Sequence, residues 1–251
     1  MSHLLELLGR GLGSDLGDLL DRYYWSPTMR PLEDLEAECR DRPDSPDAHL
    51  QYGLALLRVN RPTQAVERLK VACRYNPDSL PARLALAAAE AENGSPAGAF
   101  EALRLANRVQ PGEPPVLFAL GFCCERLARP EDAAEYYRDS IRGDSGFYPA
   151  RERLAAVAVF LNRVDEAIEQ YQAMAKARPE ETWLRSALAH LYYRACRYDE
   201  AVSEFQTAIA MEPENWALMD DQAEALAATG RISEAIERLR KLIAEQGGFA
   251  D

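Results

Sequence analysis

Apolar residues recur along this chain at steps of three and four, in paired segments separated by short polar breaks. Between residues 148 and 177, Leu154, Ala155, Ala158 and Phe160-Leu161 form one stripe, and Ala167, Ile168, Tyr171, Met174 and Ala175 form a second. That spacing predicts two amphipathic helices. The pair returns at a period of 34 residues. Ala65, Ala99, Ala133, Ala167, Ala201 and Ala235 hold one column. Pro43, Pro77, Pro111, Pro179 and Pro213 hold another, missing only at Ser145. A fixed period of this length marks a stack of near-identical supersecondary units.

The breaks agree with the helices. Asn60, Gly94, Asn162 and Gly230 fall where the first helix of a unit must end, and Gly or Asn tolerates a left-handed cap. Pro62, Pro96 and Pro130 follow two residues later, suited to the first turn of the next helix. Acids come next: Glu131-Asp132, Asp165-Glu166, Asp199-Glu200 and Glu234. Their charge complements the exposed amides of a helix start, so they read as caps rather than catalytic carboxylate pairs.

The unit resembles the tetratricopeptide repeat. The first unit supplies Tyr52-Gly53, Leu56, Ala65, Leu69, Ala72 and Pro77; the third supplies Leu120-Gly121, Ala133 and Tyr137; the fifth supplies Leu188-Ala189, Tyr192, Ala201, Phe205, Ala208 and Pro213. A small residue at Gly53, Ala87, Gly121, Ala155, Ala189 and Ala223 lets the two helices of a unit approach closely. The resemblance implies an all-α fold, a right-handed α-solenoid of antiparallel helix pairs. Six units are expected at residues 46–79, 80–113, 114–147, 148–181, 182–215 and 216–249, together forming one solenoid over 46–251. Residues 1–45 read as an N-terminal capping segment with a degenerate unit, its helices at 15–25 and 32–40, and with Pro31 where alanine sits elsewhere. The joint Gly143-Asp144-Ser145-Gly146-Phe147 has two glycines and no proline, which fits either a hinge or a local change of pitch.

Charge narrows the partners. The net charge is −12, with only Lys70, Lys176 and Lys241 as lysines and no basic stripe. This disfavours nucleic acid. The excess of arginine over lysine fits a GC-rich, bacterial coding bias. No apolar run approaches the ~20 residues of a membrane span, and the N-terminus has no basic leader before an apolar stretch. Five cysteines, an odd number without a C-x-x-C pair, fit reduced thiols in the cytoplasm.

In the family, partners bind a concave groove lined by the first helices. Carried over residue by residue, the groove would hold Leu50, Leu54 and Leu57, then Leu84, then Phe118, Phe122, Glu125 and Arg126. Glu152 and Phe160 follow, then Trp183, His190, Tyr193 and Arg194, and last Asp220 and Glu224. Such a groove grades from aliphatic through aromatic to acidic. It implies a scaffold for an apolar or amphipathic protein segment, anchored by aromatic and leucine side chains. The family's carboxylate clamp for chaperone tails is not matched by the corresponding pairs, from Leu50/Leu54 to Asp220/Glu224.

No catalytic constellation, cofactor or metal is expected. His3, His49 and His190 stand apart, and Gly9-x-Gly11-x-Gly13 lacks both the spacing and the preceding strand of a nucleotide loop. Adjacent Cys123-Cys124 read as core residues. The alternative to a groove scaffold is a self-assembling structural protein. It would associate into a homo-oligomer through the N-terminal segment (Leu4, Leu5, Leu7, Leu8) or through the last helix with Leu239, Leu242 and Ile243.

Overall fold

The structure, a computed structural model, describes residues 30–247. The expected helix at 15–25, the leucine-rich segment and the glycines after it lie outside the described residues. Among the described residues there are thirteen helices and no strand. They are α1 (Leu32–Asp41), α2 (Pro46–Arg58), α3 (Pro62–Tyr75), α4 (Leu80–Glu92), α5 (Pro96–Val109), α6 (Pro114–Arg126) and α7 (Pro130–Gly143). Then come α8 (Tyr148–Phe160), α9 (Val164–Ala177), α10 (Thr182–Arg194), α11 (Tyr198–Met211), α12 (Trp216–Ala228) and α13 (Ile232–Gly247). The chain forms two compact units, divided after Ala150. Each is an all-α solenoid segment in which consecutive helices pack in pairs.

In the first unit, α2 pairs with α3, α4 with α5, and α6 with α7. Ladder residues Ala65, Ala99 and Ala133 have no exposed surface, because helix backbones meet there. The side chains one turn on, Leu69, Leu103 and Tyr137, are also fully buried and fill the space between the helices of a pair. Ser45, Ser79 and Ser95 cap α2, α4 and α5 by accepting hydrogen bonds from Ala48, Ala82 and Gly98 amides. Ser140 replaces a small apolar residue in α7 and is buried, yet its hydroxyl donates to the Pro114 carbonyl at 2.8 Å. The joint at 143–147 is a bonded turn. The Gly146 amide donates to Asp144 Oδ1 at 2.8 Å, and the Phe147 ring packs edge-on against Phe118.

The second unit repeats the scheme with α10 on α11 and α12 on α13. Ala167 and Ala201 are fully buried and Ala235 nearly so. Arg151 of α8 donates to Gln170 of α9 at 2.8 Å. Arg185 of α10 pairs with Glu204 of α11 at 3.1 Å.

First helices in both units end in one motif. At Asn60, Gly94, Ala128, Asn162, Cys196 and Gly230 the backbone turns left-handed, with φ between 56° and 84°. The next amide reaches back to a carbonyl five residues earlier, as in Arg61 to Leu56 at 2.9 Å and Arg197 to Tyr192 at 2.8 Å. These are Schellman caps. Ala128 and Cys196 adopt the geometry although their Cβ atoms oppose it, at roughly 1–2 kcal/mol each. Arginine stands at the N-cap of α3, α7, α9 and α11 and makes no side-chain cap bond. Arg129 and Arg197 turn instead to the acids three residues on, Asp132 and Glu200.

One core position breaks the apolar pattern. Leu120, Leu154 and Leu188 are buried where the last unit has Gln222, itself 1% exposed. Its amide donates to the Val202 carbonyl at 3.3 Å and to Gln206 Oε1 at 3.1 Å, while its own Oε1 has no partner. Gln206 Oε1 also accepts from Arg238 at 3.1 Å, so neither acceptor is orphaned if Gln222 is lost. Gln222→Leu should therefore raise the stability of the second unit by about 1–2 kcal/mol, read as a higher urea midpoint at unchanged slope.

Candidate functional site

The expected groove residues divide sharply by unit. In the first, Leu84, Phe118 and Phe122 are buried, and Leu50 is nearly so. Phe118 is held between Tyr137 and Phe147, with centroids 5.6 and 5.5 Å away. Leu54 and Leu57 are half-buried and packed on the core. Glu125 accepts a hydrogen bond from the Tyr137 hydroxyl, which turns its carboxylate toward its own helix pair. Arg126 is exposed.

In the second unit the corresponding residues reach the surface. Phe160, at the end of α8, is 78% exposed. Glu152 is half-buried. Trp183 is half-buried too; its indole donates to Glu181 Oε2 at 2.6 Å and its ring stands edge-on to Tyr171. His190, Arg194, Asp220 and Glu224 are exposed, and Tyr193 is half-buried.

Two contacts join α10 to α12. His190 Nε2 lies 3.3 Å from Asp221 Oδ2, and the Tyr193 hydroxyl donates to Glu224 Oε1 at 3.0 Å. One turn separates each pair on its helix, so the two contacts form parallel rungs. Core rings support them: His190 stands edge-on to buried Phe205 at 5.1 Å, and Tyr193 packs on Tyr198 at 5.3 Å. Asp221 was not singled out by groove positions alone, although it adjoins Asp220 in sequence. Burial pushes its carboxyl pKa up; the nearby His190 opposes this, and Asp220 and Glu224 reinforce it. The hydrogen bond to Glu224 and burial hold the Tyr193 phenol above its ordinary range. α12 carries three carboxylates and no lysine or arginine. The face formed by α10 and α12 therefore offers aromatic surface beside crowded negative charge.

Among the described residues, no group of three or more His, Cys, Asp or Glu is placed to hold a metal ion. No helix among them is long and apolar enough to cross a membrane. All five cysteines are free thiols. Burial pushes Cys123 up to about 12 and Cys124 up to about 11, which leaves both protonated and unreactive at neutral pH.

Comparison with known proteins agrees with the repeat architecture. One tetratricopeptide repeat model matches residues 50–114 and 186–249, and a second matches 161–207. No curated protein matches the chain. Among solved structures, YrrB, a TPR protein with an unusual peptide-binding site, superposes with a TM-score of 0.61 at 16% identity, covering 80% of this chain and 100% of that one. A tetratricopeptide repeat protein from Parabacteroides merdae ATCC 43184 gives 0.60 at 17%, covering 80% and 79%. MamA gives 0.58 at 17%, covering 69% and 95%. At these identities the likeness is one of fold. Repeat period, helix pairing and the matched models together place the chain in the tetratricopeptide repeat family, a family of protein-interaction scaffolds.

Proposed function

We propose that this protein is a non-catalytic scaffold that binds an apolar or amphipathic segment of a partner protein along the first-helix face of its second unit. The observation that carries this reading is the pairing of Tyr193 and His190 on α10 with Glu224 and Asp221 on α12, a helix with three carboxylates and no lysine or arginine. Aromatic anchors supply affinity. Asp220, Asp221 and Glu224 favour a segment whose apolar residues are interleaved with lysine or arginine, and Arg194 sets its direction by donating to a carboxylate at one end. Phe160, 78% exposed at the end of α8, offers a further apolar side chain on a first helix of this unit. The half-buried leucines of α2 offer a shallower patch in the first unit. Five free thiols fit action in the reducing cytoplasm. YrrB, whose fold is similar, is a TPR protein with an unusual peptide-binding site.

Selection from a displayed random peptide library on the immobilised protein tests the reading. Enriched peptides should combine aromatic or aliphatic residues with lysine or arginine. Their affinity should fall about tenfold or more in Tyr193→Ala and in Asp220→Lys/Glu224→Lys, with unfolding midpoints held. Peptides that bind these variants as tightly as the wild type would place the site elsewhere.

A further inference from the structure

The last helix, α13, carries three of the most exposed large apolar side chains among the described residues: Ile232 at 52%, Ile236 at 44% and Ile243 at 68%. Ile236 and Ile243 lie two turns apart on one side of the helix, while half-buried Leu239 holds the core position that Phe205 holds one period earlier.

The 34-residue period gives that side a meaning. One period earlier, Ile236 and Ile243 correspond to Val202 and Ile209 of α11, which are 9% and 6% exposed, and α12 packs on α11. One period before that they correspond to Ile168 and Ala175 of α9, each 2% exposed, and α10 packs on α9. In the first unit Val66 of α3 is buried likewise, with α4 packed on α3. At α3, α9 and α11 these positions lie in the joint that receives the next first helix; on α5 their counterparts Phe100 and Asn107 are half-buried. On α13 these positions face solvent.

A polar column runs through the same joint, one turn after the first of these apolar positions. Lys70 of α3 pairs with Glu90 of α4 at 2.8 Å. Gln172 of α9 donates to the Tyr192 hydroxyl of α10 at 2.6 Å. Gln206 of α11 accepts from Gln222 of α12 at 3.1 Å. Arg104 of α5 turns instead to Glu101 on its own helix. Arg240 holds this position on α13. It is exposed and has no hydrogen bond or ion pair among the described residues. It holds the repeat position that Lys70 holds in the joint that carries Glu90.

We propose that the outer face of α13 docks one amphipathic α-helix of a partner protein. The helix sits as a first helix sits on the second helix before it, with its apolar stripe over Ile236 and Ile243 and a carboxylate against Arg240. This surface is separate from the α10–α12 face and does not depend on it.

The probe is a fluorescein-labelled peptide of residues 79–93, the chain's own first helix that carries the Glu90 carboxylate. It is titrated against the full chain by fluorescence polarisation. Binding is expected near ~100 µM, lost in Ile236→Asp/Ile243→Asp. Arg240→Glu should weaken it about tenfold, and a peptide with Glu90→Lys should restore affinity to that variant. The replaced side chains are exposed, so melting followed by circular dichroism should match the wild type. The proposal is overturned by no binding to the wild type up to ~1 mM. It is equally overturned if the double variant binds unchanged or if the charge swap fails to restore affinity. Sedimentation showing a wild-type dimer that Ile236→Asp/Ile243→Asp dissolves would assign the face to a second copy instead.

Discussion

Phe205→Ala is expected to remove about 3–5 kcal/mol from the stability of the second unit. The Phe205 ring is 1% exposed and fills the gap between α10 and α11 at the large core position of its repeat. Truncation deletes the transfer energy of the ring and leaves a cavity that two ladder-packed helices cannot close, because Ala189 and Ala201 already hold their backbones together. Against a total of roughly 5–15 kcal/mol for a domain, the loss leaves the unit marginal. Trp183 and Trp216 lie within this unit and report on it, so their fluorescence in urea reads the change directly. The effect extends to function. His190 rests edge-on against Phe205, and without that support the imidazole loses its placement beside Asp221. A fall of less than ~1 kcal/mol would mean that the repeat core is not packed as described.

Gly121→Val is expected to cost about 2–4 kcal/mol in the first unit, although valine is the better helix former. A Cβ at Gly121 would lie 2.6 Å from Tyr137 Cε1 and 2.8 Å from Cδ1. That ring has no exposed surface. Its hydroxyl is tied to Glu125 and its face to Phe118, so it has no direction in which to yield. The propensity gain of roughly 0.3 kcal/mol is smaller than the cost of parting α6 from α7. Gly94→Ala is the control. Nothing lies within 4 Å of its Cβ and φ is +75°, so it should lose only about 1–2 kcal/mol, from backbone strain alone. Equal losses for the two variants would contradict close helix approach as the reason for glycine at 121.

The repeated features of the fold were legible because each arises from local chemistry. The alanine ladder, the small residue facing it and the left-handed caps at Asn60, Gly94, Asn162 and Gly230 each leave a residue-type signature. Ala128 and Cys196 adopt the same cap without that signature, because the Schellman hydrogen bonds impose the conformation on residues that oppose it. The candidate site was less legible for a related reason. Repeat position names the residues that can face a partner, but not how much of each its neighbours cover. Phe118 and Phe122 sit at groove positions and are buried, Phe118 because the large Tyr137 and Phe147 rings close over it. Asp221 was missed because its role depends on His190, 31 residues away, and that pairing exists only once α10 and α12 are side by side. Arg240, without a partner among the described residues, had no meaning until Lys70–Glu90, Gln172–Tyr192 and Gln206–Gln222 showed what its column does.

Hydrogen exchange on the protein with and without a library-selected peptide tests the central claim most directly. The account predicts slowed exchange within 182–194 and 216–228, the spans of α10 and α12, with α13 and the first unit unchanged. Slowing confined to α13, to the second helices or to the first unit, with the peptide demonstrably bound, would contradict it.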